Sequence, residues 1–331
     1  MTPRLRSRRP ARGRDQRRVV VHATGKWLRS ITEDKQDFFT NLAPYLAKRD
    51  VAISAVQAGG RLAQKLLRDP QAVHLLVDQA PVYGPRLLHA NPAPISGFWH
   101  LDELGQGWNS SLRLSEFDPE TVDHENAVRF FNDVSSRVLR ENISQAGQTA
   151  RISTGLLGAA ATVFCQPEPL AQSSPAYLTT QEMITTTANH RRDGLVYVKL
   201  HPRQTRVSRQ RVIDLCGDIA NVRVSEASVH DLIAASAMVV TQNSTVGFEA
   251  LMQKRPVVTC AKASYWHAAM TAHDCDDLRE ALTLGADAMR GFPYERYFFW
   301  TLARHGFEPA KEAFAKRVWA RICDKAMWPC T

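Results

Sequence analysis

Apolar residues along this chain alternate between short β-branched runs and longer stretches with the spacing of a helix buried on one side. Val19, Val20 and Val21 lead into His22-Ala23-Thr24-Gly25-Lys26, which predicts a buried strand opening into a loop. Phe38, Phe39, Leu42 and Leu46 predict a helix over 33–48, and residues 51–56 the next strand. A second cycle follows, with a helix near 60–68 and a strand over 74–77. Residues 80–120 are rich in Pro, Gly and Asn and read as long loops, which in compact domains usually carry function. Asp118-Pro119-Glu120 then opens a helical segment expected over 119–145, Asp as cap and Pro in the first turn.

The same rhythm resumes with strands expected at 161–164, 195–198, 222–224, 238–240 and 256–258, separated by helical stretches. Strands alternating with helices imply α/β architecture, a parallel sheet covered on both faces. Tyr294 through Trp300, and Phe314 through Ile322, read as two amphipathic helices. The chain of 331 residues exceeds what one ordinary core supports. We therefore expect a basic tail at 1–18, a first Rossmann-like domain at 19–155, and a second at 156–331 whose last helices return to the first.

Composition narrows the class. Hydrophobic content of 44% and charged content of 23% are those of a globular protein. No apolar run approaches the roughly 18 residues of a membrane span, and the Arg-rich N-terminus lacks the apolar stretch of a signal peptide, so a cytoplasmic protein is expected. The six cysteines show no metal-ligand spacing and read as reduced thiols. The net charge of +9 concentrates at the start, where Arg4, Arg6, Arg8, Arg9, Arg12, Arg14, Arg17 and Arg18 face only Asp15. Such a run is a solvated tail or a contact to an anionic membrane surface, making the protein peripheral on the inner membrane. It lacks aromatics for base stacking, so nucleic acid is not an expected partner.

In parallel sheets ligands bind beyond the carboxyl ends of the strands, which directs attention to three polar clusters. They are Cys165-Gln166-Pro167-Glu168, Lys199-Leu200-His201-Pro202-Arg203 and Thr241-Gln242-Asn243-Ser244-Thr245. The third precedes the helix-forming stretch 246–252, placing Asn243, Ser244 or Thr245 at a helix start suited to phosphate. Ser244 alone could simply cap that helix. Pro202, by fixing the backbone after His201, can aim an imidazole donor at the same point, and together they predict a nucleotide phosphate site. In the first domain His22 and Lys26 follow the first strand, where a base or anion contact would stand. Gly25-Lys26 is not a P-loop: the upstream glycine is missing and Trp27 replaces the Ser or Thr. Asp102 and Asn109, in the expected loops, are candidate sugar contacts on the acceptor side.

The stretches Tyr197-Val-Lys-Leu-His-Pro-Arg203, Val239-Val-Thr-Gln-Asn-Ser-Thr-Val-Gly-Phe-Glu-Ala-Leu251 and Lys254-Arg-Pro-Val-Val258 together resemble the capsule polysaccharide biosynthesis family. The family includes bacterial Kdo transferases, and the resemblance covers about residues 160–265. It implies a GT-B fold of two Rossmann-like domains facing a central cleft, and transfer of an acidic, Kdo-like sugar from a CMP-sugar to a glycan or glycolipid acceptor. His201 would bind the CMP phosphate, with Asn243, Ser244 and Thr245 at the helix start. Glu249 would reach the ribose or cytidine side, and Gln166 the donor. No cofactor or metal is expected beyond the nucleotide sugar.

One position departs from the pattern. Retaining members carry Gln-x-x-x-Asp after the first strand of this domain, with Asp as nucleophile; here Gln166 is followed by Leu170, which cannot do covalent chemistry. Either Glu168 has taken an acid, base or nucleophilic role, or the reaction follows another stereochemical course, or activity has been lost; Glu168 and His22 are the catalytic candidates. Two rival readings stand beside it: a CDP-alcohol phosphotransferase of the teichoic-acid type, and a non-catalytic GT-B scaffold in capsule assembly.

Overall fold

The structure, a computed structural model, describes residues 17–152, 154–167 and 176–329. The chain divides into two units, each with a six-stranded sheet. Of the described residues, unit 1 comprises those up to Ala93, Gly97–Leu114, and those from Leu302 onward; unit 2 takes Pro94–Ser96 and those within Ser115–Thr301.

In unit 1, β1 (Arg18–Ala23) lies between β2 (Ala52–Gln57) and β3 (Ala72–Leu76), parallel to both. β4 (Leu87–Pro92) adds parallel to β3, then β5 (Trp99–Asp102) antiparallel, and the two-residue strand Gly306–Phe307 pairs antiparallel with β5 at the edge. Residues expected as unbroken loops therefore hold two sheet strands. Their apolar runs are only a few residues long and sit between Pro and Gly, so turn residues dominate any window drawn over them.

The core of unit 1 forms around Phe38, which meets Phe39, Trp99 and Phe314 at centroid distances of 5.1, 4.9 and 5.2 Å. Helix Asp37–Ala47 supplies Phe38, Phe39, Leu42 and Leu46; helix Phe314–Ala326 supplies Phe314, Val318, Trp319 and Ile322 from the far end of the chain. An additional helix, Gly25–Thr32, follows β1 directly and carries Lys26. The single helix expected over 33–48 starts only at Asp37, because Asp34 takes a left-handed φ of 56° and breaks the path.

In unit 2 the strands are β6 (Ala161–Phe164), β7 (Val196–Lys199), β8 (Val222–Val224), β9 (Val239–Thr241), β10 (Val257–Thr259) and β11 (Met270–Thr271). They run in the order β11-β10-β9-β6-β7-β8, all parallel. β9 and β10 are fully buried Val-Val-Thr runs, as strands covered on both faces must be. The chain steps outward from β6 in one direction, then returns to build in the other, so the topological switch lies between β6 and β9.

The segment expected as one helix over 119–145 is a 3₁₀ turn at Pro119–Thr121 capped by Asp118, then a helix His124–Arg140 capped by Asp123. Phe131 on that helix packs edge-on against Phe298, 5.2 Å away. This packing draws the helix into unit 2, so the chain passes between units at Leu114, well before the break expected at 155. Among the described residues no helix is long and apolar enough to cross a membrane. The described cysteines are free, and all but Cys275 are buried.

Candidate functional site

The carboxyl ends of β6, β7 and β9 open on a cavity of about 340 Å³ within unit 2. Its wall includes Lys199, His201, Arg209, Ser244, Thr245 and the loop 144–149. Three residues singled out in the sequence thus meet in one place: His201, Ser244 and Thr245.

The surrounding backbone fixes the His201 ring. The Arg203 backbone N–H donates to His201 Nδ1 at 3.1 Å, and the His201 N–H donates to Gln204 Oε1 at 2.7 Å. Because Nδ1 accepts, the neutral ring carries its proton on Nε2, the nitrogen left for a ligand. A second proton would set two donors against each other. Burial, aided by the Arg203 charge, pushes the His201 pKa down in the same sense. The side chain is therefore a neutral N–H donor at physiological pH.

Ser244 is the N-cap of helix Thr245–Met252, its Oγ accepting the Val246 N–H at 3.2 Å. Capping uses the acceptor side of the hydroxyl and leaves its proton to donate; the Thr245 N–H has no helical partner by position. The helix start is braced from behind, where Tyr265 Oη donates to the Ser244 carbonyl at 2.6 Å. Only glycine fits at 247, since a Cβ there would stand 2.4 Å from that same hydroxyl.

Two cations not singled out as site residues complete the wall. Lys199, the last residue of β7, donates from Nζ to the Ala227 carbonyl at 2.7 Å, and burial pulls its pKa down, with Glu226 opposing and Arg209 reinforcing. Arg209 pairs with Glu226 at 2.9 Å. Lys199 stood in the quoted cluster, and its position at the strand end was the available clue. Arg209 lies on the following helix, Arg206–Gly217, among other arginines from which spacing does not separate it.

The remaining sequence candidates fall elsewhere. Gln166 accepts from the Asn243 backbone N–H at 3.5 Å, spanning the switch between β6 and β9, but it lines a neighbouring cavity. The Asn243 side chain donates to the Lys262 carbonyl at 2.9 Å, holding the loop beyond β10. Glu249 is 1% exposed and does not line the cavity beside His201, so direct contact with ribose or base does not follow. Its Oε1 accepts from Ser144 Oγ at 2.7 Å, and the Gln145 backbone N–H also donates to the carboxyl. Glu249 thus acts from beneath, anchoring the loop that forms one wall. Glu168 and Leu170 lie outside the described residues.

In unit 1, His22 Nε2 and His74 Nδ1 share a hydrogen bond of 3.0 Å, both rings being buried. Lys26 is exposed on its helix, and Asn109 is half-buried in the 3₁₀ turn Gly107–Asn109. Asp102 is not available to a sugar. It is 6% exposed, and its two oxygens accept from the backbone N–H groups of Leu104, Gly105 and Ser111 and from the hydroxyls of Ser110 and Ser111. Five donors saturate the carboxylate and fold the loop after β5 around it.

Residues 173–280 match the capsule polysaccharide biosynthesis protein family, bearing out the resemblance read from the His-Pro and Ser-Thr motifs. No curated protein matches the chain. Among solved structures it is similar to the beta Kdo 2,7 transferase KpsC of Thermosulfurimonas dismutans, at 14% identity over 81% of this chain and 89% of that one, with a TM-score of 0.50. It is also similar to the UDP-GlcNAc 2-epimerase of Methanocaldococcus jannaschii solved with UDP-GlcNAc and UDP, at 9% identity over 93% and 99%, TM-score 0.38. The first of these likenesses establishes the fold, GT-B with two Rossmann-like units.

Proposed function

We propose that the protein is a glycosyltransferase that passes an acidic, Kdo-like sugar from a CMP-sugar to a capsule or surface-glycan acceptor. The observation that carries this reading is the meeting of the His201 Nε2–H, the Ser244-Thr245 helix start and Lys199 around one cavity at the switch point. Breaking a CMP-sugar bond releases a phosphate monoester, so the main catalytic demand is to stabilise charge gathering on that phosphate. A neutral imidazole donor, a hydroxyl, an N-terminal amide and an ammonium group answer that demand without a metal.

Because His201 donates without being protonated, CMP affinity should vary little with pH above the usual histidine range. His201→Ala should weaken CMP binding about tenfold or more, the loss expected when a hydrogen bond to a charged group disappears. Isothermal titration with CMP measures this, and unchanged affinity overturns the donor-site assignment. Release of CMP from CMP-Kdo in the presence of acceptor separates a transferase from a CDP-alcohol phosphotransferase.

The arginines from Arg4 to Arg14, outside the described residues, would bring the enzyme to an anionic bilayer carrying its acceptor; of the expected tail, Arg17 donates to the Pro329 carbonyl and Arg18 already belongs to β1. Deleting residues 1–17 should leave soluble CMP binding intact and reduce co-sedimentation with anionic vesicles at low salt. Equal sedimentation of both forms removes the membrane contact from the proposal.

A further inference from the structure

Unit 1 has its own switch point, between β1 and β3, and a cavity of about 450 Å³ opens there. Parallel strands buried on both faces read as continuous apolar runs, yet β1 carries Val-Val-Val-His-Ala and β3 reads Ala-Val-His-Leu-Leu. The register pairs Val20 with His74 and His22 with Leu76, so the two histidines are diagonal neighbours on one face, and both line the cavity. Such a break in an otherwise apolar pattern marks function more often than stability.

The rest of the wall points to the ligand's charge. Arg68 and Arg86 line the cavity, together with the apolar side chains of Leu76 and Val82. Arg86 takes a left-handed φ of 64°, a conformation a non-glycine residue holds only under constraint. Its carbonyl accepts the His74 backbone N–H at 2.8 Å, and its guanidinium donates to the Pro70 carbonyl. Of the other charged and titratable groups, Asp69, also in the wall, pairs with Arg18 at 3.3 Å, and His89, on the same face of β4, meets the Val82 backbone through Nε2 while its buried Nδ1 has no hydrogen-bond partner.

We propose that this cavity binds an anionic molecule of monosaccharide size, and that the His22–His74 pair takes up one proton when it does so. The stoichiometry follows from geometry. His22 Nε2 and His74 Nδ1 share one hydrogen, so a first proton can be held on an outer nitrogen, whereas a second would force two N–H groups to face each other. Burial holds both rings neutral, with pKa values lowered to about 4: His74 adds to the effect on His22, while for His74 Asp69 opposes and Arg86 adds. An anion among these groups reverses that balance, so affinity rises as pH falls, by at most about tenfold per pH unit, the limit for one proton.

The site is independent of the donor-site reading, and its test is local. Imidazole NMR of the full chain, with His22 and His74 assigned through His22→Asn and His74→Asn, is followed during titration with galacturonate, inorganic phosphate and uncharged galactose. Titration calorimetry in two buffers of different ionisation enthalpy counts protons. We expect shifts at both histidines with galacturonate or phosphate, whichever chemistry the site favours, uptake of up to one proton, and none with galactose. Arg86→Gly suits the left-handed backbone and should keep the fold while weakening the anion at least fivefold. Binding that leaves both histidine signals unmoved, equal binding of galactose, no proton uptake, or undiminished affinity in Arg86→Gly overturns the proposal. Because CMP is absent, failure here leaves the His201 experiment untouched.

Discussion

Replacing Glu249 with Gln should make the protein more stable at neutral pH, by an amount that grows between pH 5 and 8. The carboxyl is buried and its pKa is pushed up to about 8 by desolvation, against the Ser144 and Gln145 hydrogen bonds. Below pH 4.5 it is protonated in both folded and unfolded chains and has no effect on the balance. From there upward the unfolded chain releases the proton while the folded one retains it, so stability falls with rising pH and levels off above 8. At about 1.36 kcal/mol per pKa unit, the cost at pH 7 is on the order of 3 kcal/mol. Glutamine keeps the acceptor for Ser144 and Gln145. Oε2, 4.0 Å from His230 Nε2 and without a hydrogen bond, presents an unpaired donor in the protonated acid and again in the amide. Urea unfolding at pH 5.5 and 7.5 checks this: the stabilisation should be larger at 7.5, and equal values would refute the buried-acid account.

Glu168→Gln should lower turnover about a hundredfold while barely changing CMP affinity, the signature of a lost general acid or base. Glu168 is the acid in the stretch after Gln166 where the resemblance read from the sequence would place a nucleophile and this chain has Leu170. A group that acts only in the transition state changes kcat and kcat/KM together, whereas one that holds the donor would raise KM. Near-normal turnover in the variant would remove Glu168 from the chemistry. CMP binding with no turnover in the unmodified protein, across CMP-Kdo and CMP-sialic acid, would favour the scaffold reading.

The sequence showed the alternation of strands and helices, and the strands of unit 2, because buried parallel strands write themselves as Val-Val-Thr runs. It also located His201 and Ser244, since proline and a helix cap are local signals. What it missed depends on contacts distant in sequence. β4 and β5 pair with strands their own short runs do not announce. Asp102 and Glu249 were read as ligand contacts because a carboxylate looks the same in sequence whether it faces solvent or is saturated by a loop. Their roles come from Ser110 and Ser111 in one case and Ser144 in the other. Likewise the His22–His74 pair joins two strands through a single hydrogen bond that no local pattern encodes.

The strand Gly306–Phe307 and the helix Phe314–Ala326 complete a core begun by residues at the other end of the chain. During synthesis the ribosome therefore delivers the last pieces of unit 1 after all of unit 2 has emerged. Unit 2, contiguous apart from Pro94–Ser96, has nearly its whole sequence available while unit 1 still lacks an edge strand and a core helix. Translation thus imposes an order on maturation in which the unit begun first is finished last. A nascent chain stalled or cleaved near residue 300 would carry an exposed apolar surface around Phe38 and Trp99, a form that chaperones and proteases are suited to detect.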